Sequence, residues 1–160
     1  MGAQGVFDRG CGVADPPPSP KGEEALVAED RADRPASLLG RGSYRKLVVW
    51  QKSMMLLSEV YRLTQGWPAE ERYGLAGQAR RAVVSVPANI AEGRGRIGSR
   101  EYRQHLGIAR GSLWEVETLL LAACDLRYND EHEIAPHLSL SDEIGRMLSA
   151  MIDRLDDRPR

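Results

Sequence analysis

Two cysteines are all that this 160-residue chain contains. Cys11 lies in a stretch rich in glycine and proline, and Cys124 lies far away in an apolar run. Neither a pairing pattern nor a metal-ligand spacing arises, which excludes a disulfide scaffold and fits a reducing compartment. Long apolar runs are missing too. The longest, Leu119 to Cys124, is far too short to cross a bilayer, and the N-terminus has no apolar signal core. The expectation is a cytoplasmic protein with no membrane partner. Net charge is almost absent, at -1, so the chain as a whole is no polyanion binder. Aromatic residues make up 6%, and few fall among the arginines, which leaves little on which the bases of a single strand could stack. No serine sits in a nucleophile-elbow context, and the apolar surroundings of Cys124 disfavour a thiolate. The reading is of a protein that is no enzyme, with no cofactor and no small-molecule substrate.

What is present is unevenly placed. From Glu70 to Arg110 there are eight arginines against four acids, whereas from Glu115 to the end eleven acids face five arginines. A basic middle and an acidic end suit either a polyanionic partner or complementary contacts between copies.

Residues 1–43, which include Pro16-Pro17-Pro18, develop no apolar period and read as a disordered tail. Residues 44–156 read as one domain, and 157–160 as a short C-terminal tail. Within the domain, Leu47, Trp50, Met54, Leu57, Tyr61 and Thr64 recur in steps of three and four, a helical stripe. Gly66 lies just past its end, and Pro68 opens a second helix expected from about Ala69 to Glu92. Its stripe is Leu75, Ala79, Val83, Val86 and Ile90. Val83-Val84-Ser85-Val86 alone could pass for a strand, but the helical stripe continues on both sides and nothing is available to pair with it.

Pro87 inside this helix removes a hydrogen bond to the Val83 carbonyl and predicts a kink, with Asn89 or Ser85 as candidates to satisfy the freed group. Gly93 reads as the helix stop. A third helix begins near Ser99 with the strongest period of all: Tyr102, Leu106, Ala109, Leu113, Val116, Leu120 and Ala123. A fourth, about Glu131 to Leu155, carries Ile134, Leu138, Ile144, Leu148, Met151 and Leu155, its stripe slipping around Ser141. Four amphipathic helices with short connections predict an all-α, antiparallel up-down-up-down four-helix bundle whose second helix is kinked at Pro87.

The chemistry-bearing stretch runs from Arg80 to Arg96. Gly93-Arg94-Gly95-Arg96-Ile97-Gly98 matches G-x-G-x-x-G in letters, but the dinucleotide fingerprint needs a strand before it, and here a helix precedes. What survives is a glycine-rich turn feeding a helix N-terminus, a place that favours anions. Arg80, Arg81, Arg94, Arg96, Arg100 and Arg103 are the candidates for binding a phosphate or nucleic-acid backbone, expected to cluster near the hinge between helices two and three. Pro87, Asn89, Gly93 and Gly95 are the expected hinge residues. Glu101/His105 and Glu133/His137 have the wrong spacing for a bundle metal site, and Glu101 and His105 also flank the core stripe instead of lying on it, so no metal is expected.

Several blocks taken together resemble a known family. Leu47-Val48-Val49-Trp50-Gln51-Lys52, Tyr73-Gly74-Leu75, Gln78-x-Arg80-Arg81-Ala82 and Ser85-Val86-Pro87-Ala88-Asn89-Ile90-Ala91-Glu92-Gly93 are similar to the bacterial four-helix bundle proteins encoded in 23S rRNA intervening sequences. So are Gly95-Arg96 and Ile108-Ala109-x-Gly111-Ser112-Leu113-x-Glu115-x-Glu117. Where that family often has Leu-Gly-Tyr after the third helix, this chain has Leu126-Arg127-Tyr128. The resemblance implies an antiparallel bundle assembling as a homopentamer. It also implies a relation to the accessory variability determinant proteins of diversity-generating retroelements, which bind nucleic acid and a reverse transcriptase. The expected function is a non-enzymatic homo-oligomer contacting RNA or a ribonucleoprotein through the hinge arginines. The alternative is a protein–protein scaffold with no nucleic-acid role, its arginines pairing with the acidic fourth helix of a neighbour or partner.

Overall fold

The computed structural model describes residues 44–156; the expected tails, 1–43 and 157–160, lie outside them. Among the described residues there are four α-helices and no strand. These are α1 (Val48–Leu63), α2 (Leu75–Arg94), α3 (Ser99–Asp125) and α4 (Glu131–Asp156). Single 3-10 turns stand at Tyr44–Lys46, Thr64–Gly66 and Ala69–Arg72. Each helix has two helical neighbours: α1 and α3 both pack on α2, and both pack on α4.

The α3 stripe is the spine of the core. Leu106, Ala109, Leu113, Val116, Leu120 and Ala123 are all buried, with Tyr102 half-buried at the start. From α2 come Ala79, Val83, Val86 and Ile90, joined by Ala76 and Ala82. Two faces differ from the sequence reading. On α1 the buried residues are Val49, Ser53, Leu56 and Val60, one position away from the expected Trp50, Met54, Leu57 and Tyr61. Two sets of the same spacing lie side by side here, and Ser53 disguises the inner one. Its hydroxyl donates to the Trp50 carbonyl at 2.7 Å, so it can be buried without an unsatisfied polar group. On α4 the apparent slip is the core position itself. Ser141 is buried between Ile134 and Ile144, and its hydroxyl donates to Glu117 Oε1 at 2.7 Å.

The second helix also starts later than Ala69. Ala69–Arg72 forms its own 3-10 turn, and α2 begins at Leu75, whose N–H donates to Glu71 Oε2 at 2.6 Å. A carboxylate on an orphan N–H is an N-terminal cap made from one turn upstream. Gly74 leaves it room, because a Cβ there would run into that carboxylate. Glu71 Oε1 accepts the Tyr128 hydroxyl at 3.0 Å, and that bond raises the phenol's pKa. Trp67, tilted against Tyr128, donates from Nε1 to Asn129 Oδ1 at 2.5 Å. At α4, Asp130 and Glu133 cap each other's backbone N–H reciprocally, both at 2.9 Å.

α3 ends in a Schellman motif: Tyr128 N–H donates to the Ala123 carbonyl at 2.8 Å, and Arg127 N–H to that of Cys124 at 2.9 Å. Arg127 holds the left-handed position this requires, with φ 61°.

Candidate nucleic-acid interface

α2 and α3 are joined by the short connection after Arg94. Gly95 N–H bonds the carbonyls of Ala91 and Glu92, and Arg96 N–H that of Gly93 at 3.1 Å, so the last turn of α2 is closed by its own chain. Gly95, not Gly93, is the C-cap. Gly93 is buried inside the helix, where a Cβ would lie 2.7 Å from His105 Cβ and 3.0 Å from a Tyr102 ring carbon. This glycine serves close helix approach, not a stop. α3 then opens at Gly98 without a side-chain cap, leaving free N–H groups at its positive end.

The six candidate arginines separate into two groups. Arg94, Arg96, Arg100 and Arg103 flank the connection. Arg80 and Arg81 do not, because they lie about 21 Å and 20 Å along α2 from Arg94. The role of Arg80 is structural. Its Nε donates to Thr64 Oγ1 at 2.9 Å and its Nη2 to the Thr64 carbonyl at 3.1 Å, while its guanidinium lies over the Tyr61 ring. It thereby fastens α2 to the C-terminal end of α1. Arg81 is exposed near Gly77 on α2.

Of the four at the connection, Arg96 pairs with Glu92, and Arg103 pairs with Asp156 of α4 at 2.8 Å. Arg94 and Arg100 are exposed and make no hydrogen bond or ion pair among the described residues. Arg100 sits in the first turn of α3, against the positive end of its dipole, where an anion is favoured over a cation. Tyr102 is half-buried beside them; burial raises its pKa, and the Arg94 charge pulls the other way. Ile97, at the tip of the connection, is fully exposed.

A residue outside the candidate set extends this group. Arg100, Arg103, Gln104, Gly107 and Arg110 line an open groove of about 340 Å³ between α3 and Ile152 of α4. Arg110 Nη1 donates to Ser149 Oγ at 3.3 Å, and its guanidinium lies 5.3 Å from the ring centre of Trp114. The signal was present in the sequence. Arg100, Arg103, Gly107, Arg110 and Trp114 step by three and four, parallel to the core stripe of the same helix.

The expected hinge residues are placed differently from one another. Pro87 is buried within α2, which runs unbroken past it to Arg94. Asn89 Nδ2 donates to the Ser85 carbonyl at 2.9 Å and to Ser85 Oγ at 3.0 Å, and that hydroxyl meets Ser112 Oγ at 2.8 Å. Neither side chain bonds the Val83 carbonyl that Pro87 leaves without a donor. Asn89 Oδ1 faces His105 Nδ1 at 3.2 Å, while His105 Nε2 stands 3.8 Å from Glu92 Oε1. His137 Nδ1 meets the Glu133 carbonyl at 2.9 Å. Among the described residues no group of three or more histidine, cysteine or acidic side chains is placed to hold a metal ion. Burial, then the acids Glu131, Asp130, Asp125 and Glu133, push the Cys124 thiol's pKa up, away from the thiolate. No helix among the described residues is long and apolar enough to cross a membrane.

These elements define a four-helix protein with a group of arginines around one inter-helix connection. The chain belongs to the 23S rRNA-intervening sequence protein family, whose model matches residues 45–150. It is also similar to a protein of unknown function from the S23 ribosomal protein family of Bacteroides thetaiotaomicron VPI-5482. Identity is 23%, the match covers 66% of this chain and 98% of that one, and the TM-score is 0.62; the likeness concerns the fold alone. No curated protein matches the chain.

Proposed function

We propose that this protein is a non-enzymatic, homopentameric four-helix bundle of the cytoplasm that contacts RNA, or a ribonucleoprotein such as one holding a reverse transcriptase, through Arg94, Arg96, Arg100 and Arg103. Its helices run up-down-up-down and antiparallel, with α2 bent at Pro87. Support for that course comes from paired contacts whose numbers rise on one helix as they fall on the next. These are Ser85–Ser112 and Asn89–His105 for α2 and α3, then Arg103–Asp156, Arg110–Ser149 and Glu117–Ser141 for α3 and α4.

The observation that carries the functional reading is the pair Arg94 and Arg100. Two exposed guanidiniums without an acid to neutralise them flank an uncapped helix N-terminus. Phosphate oxygens satisfy both features at once. Contact of this kind is directed at the nucleic-acid backbone and is salt-dependent. In low-salt titrations of a labelled RNA, the Arg94→Ala/Arg100→Ala variant is expected to bind more weakly. Its affinity should also fall less steeply with salt, the slope flattening by about 0.7 for each lost phosphate contact to a single strand. An unchanged slope would remove the proposed contact.

The scaffold reading draws on one specific observation, the Arg103–Asp156 ion pair, in which an arginine of this group already meets an acid of α4. If the same pairing joins copies, raising salt dissociates the oligomer in sedimentation velocity, and no RNA binds at any salt.

A further inference from the structure

Resting on the nucleic-acid reading above, we propose that the outer stripe of α3 is a cleft for a single strand. Arg100, Arg103 and Arg110 follow its phosphates, and Trp114 is the platform on which an unpaired base stacks.

Low aromatic content spoke against stacking, but placement outweighs abundance. Trp114 is 56% exposed although it is among the largest apolar side chains of the domain. It sits one turn beyond Arg110, whose guanidinium lies over its ring. The stripe from Arg100 to Trp114 is about 21 Å long, with Arg100 and Arg103 at its N-terminal end and Arg110 one turn before the indole at the other. Gly107 lies in the middle, and a Cβ built there meets nothing within 4 Å. The floor is open there, and the groove reaches Ile152 on α4. Past Trp114 the next stripe residue is Glu117, engaged by Ser141, so the basic run ends at the aromatic.

Single-strand sites combine these two elements, a basic track for the backbone and an aromatic face for a base. In a duplex the bases cover one another's faces, so the indole has nothing to stack on. The arginines of the groove are also available. The Arg103–Asp156 pair is half-exposed on both sides, and such surface pairs hold weakly. Arg110 has only a hydroxyl as hydrogen-bond partner. Phosphate contact and base stacking need no ribose hydroxyl, so RNA and DNA single strands are bound through the same chemistry.

The test uses the full chain and a fluorescein-labelled oligouridylate, its oligothymidylate counterpart and a duplex of the same length, read by anisotropy at low salt. Trp114→Ala is expected to weaken oligouridylate binding about tenfold or more. Trp114→Phe should restore most of it, and neither change should alter duplex binding. Arg110→Ala should flatten the salt dependence for the single strand. Equal binding of oligouridylate by Trp114→Ala and wild type overturns the proposal, as does preference for the duplex. So does equal loss of single-strand and duplex binding together with a changed sedimentation coefficient, which would make Trp114 part of a subunit contact. If Arg94→Ala/Arg100→Ala weakens binding while Trp114→Ala and Arg110→Ala do not, the cleft fails and RNA contact at the connection stands. If the wild type binds none of the probes, both fail.

Discussion

Arg127 is the residue where local chemistry and local geometry disagree most openly. Its φ of 61° is the left-handed conformation that closes α3, and a side chain there costs about 1–2 kcal/mol. Glycine avoids that strain but adds about 0.4–1 kcal/mol of unfolded-chain entropy. Strain relief wins, so Arg127→Gly is expected to stabilise the domain by about 0.5–1 kcal/mol. The check is a raised urea midpoint with an unchanged m-value; a midpoint at or below wild type would refute it. At this scale the arginines were legible as a set but not as a place. Arg80 and Arg81 precede Arg94 closely in sequence, yet a helix turns that separation into most of its own length. The Arg80 bonds to Thr64 depend on how α1 ends, which periodicity does not contain. Trp114 escaped for the opposite reason, since its significance lies in being exposed.

Among the elements, α3 was the most readable, because its core positions carry only apolar residues in an unbroken period. α1 and α4 each hide one core position behind a serine, and a pattern built on apolar letters steps around it. The α2–α3 contact adds a feature that no pattern reveals, the closeness that Gly93 allows. Gly93→Ala gains about 1 kcal/mol of helix propensity. It also forces a Cβ to within 2.7 Å of His105 Cβ, on a stiff part of that side chain, and overpacking costs about 1–3 kcal/mol. The net expectation is destabilisation of about 1 kcal/mol, with Tyr102 and His105 shifted. Gly111→Ala is the control on the partner helix. A Cβ there meets nothing within 4 Å, so it should stabilise by up to about 1 kcal/mol. Thermal melts of the two variants should move in opposite directions, and melts moving together would show that approach distance is not what Gly93 controls.

For the whole molecule, the near-zero net charge of -1 hides a local excess of arginine, so net charge is a poor guide to what the connection and α3 can bind. A pentamer would repeat that excess five times around its axis and turn weak single contacts into avidity. Sedimentation velocity should return about five times the 17.7 kDa chain mass, and a monomer would leave each arginine group to bind alone. Glu71 has a consequence of a different kind. One of its oxygens holds the first N–H of α2 and the other the hydroxyl of Tyr128 beyond the end of α3. Fraying of one helix terminus therefore releases the other, and the two ends open as one unit. Native-state hydrogen exchange should then show the Leu75 and Tyr128 amides sharing a single opening free energy. In Glu71→Ala, which removes both acceptors, the two should separate, as two independent ends that no longer report on each other.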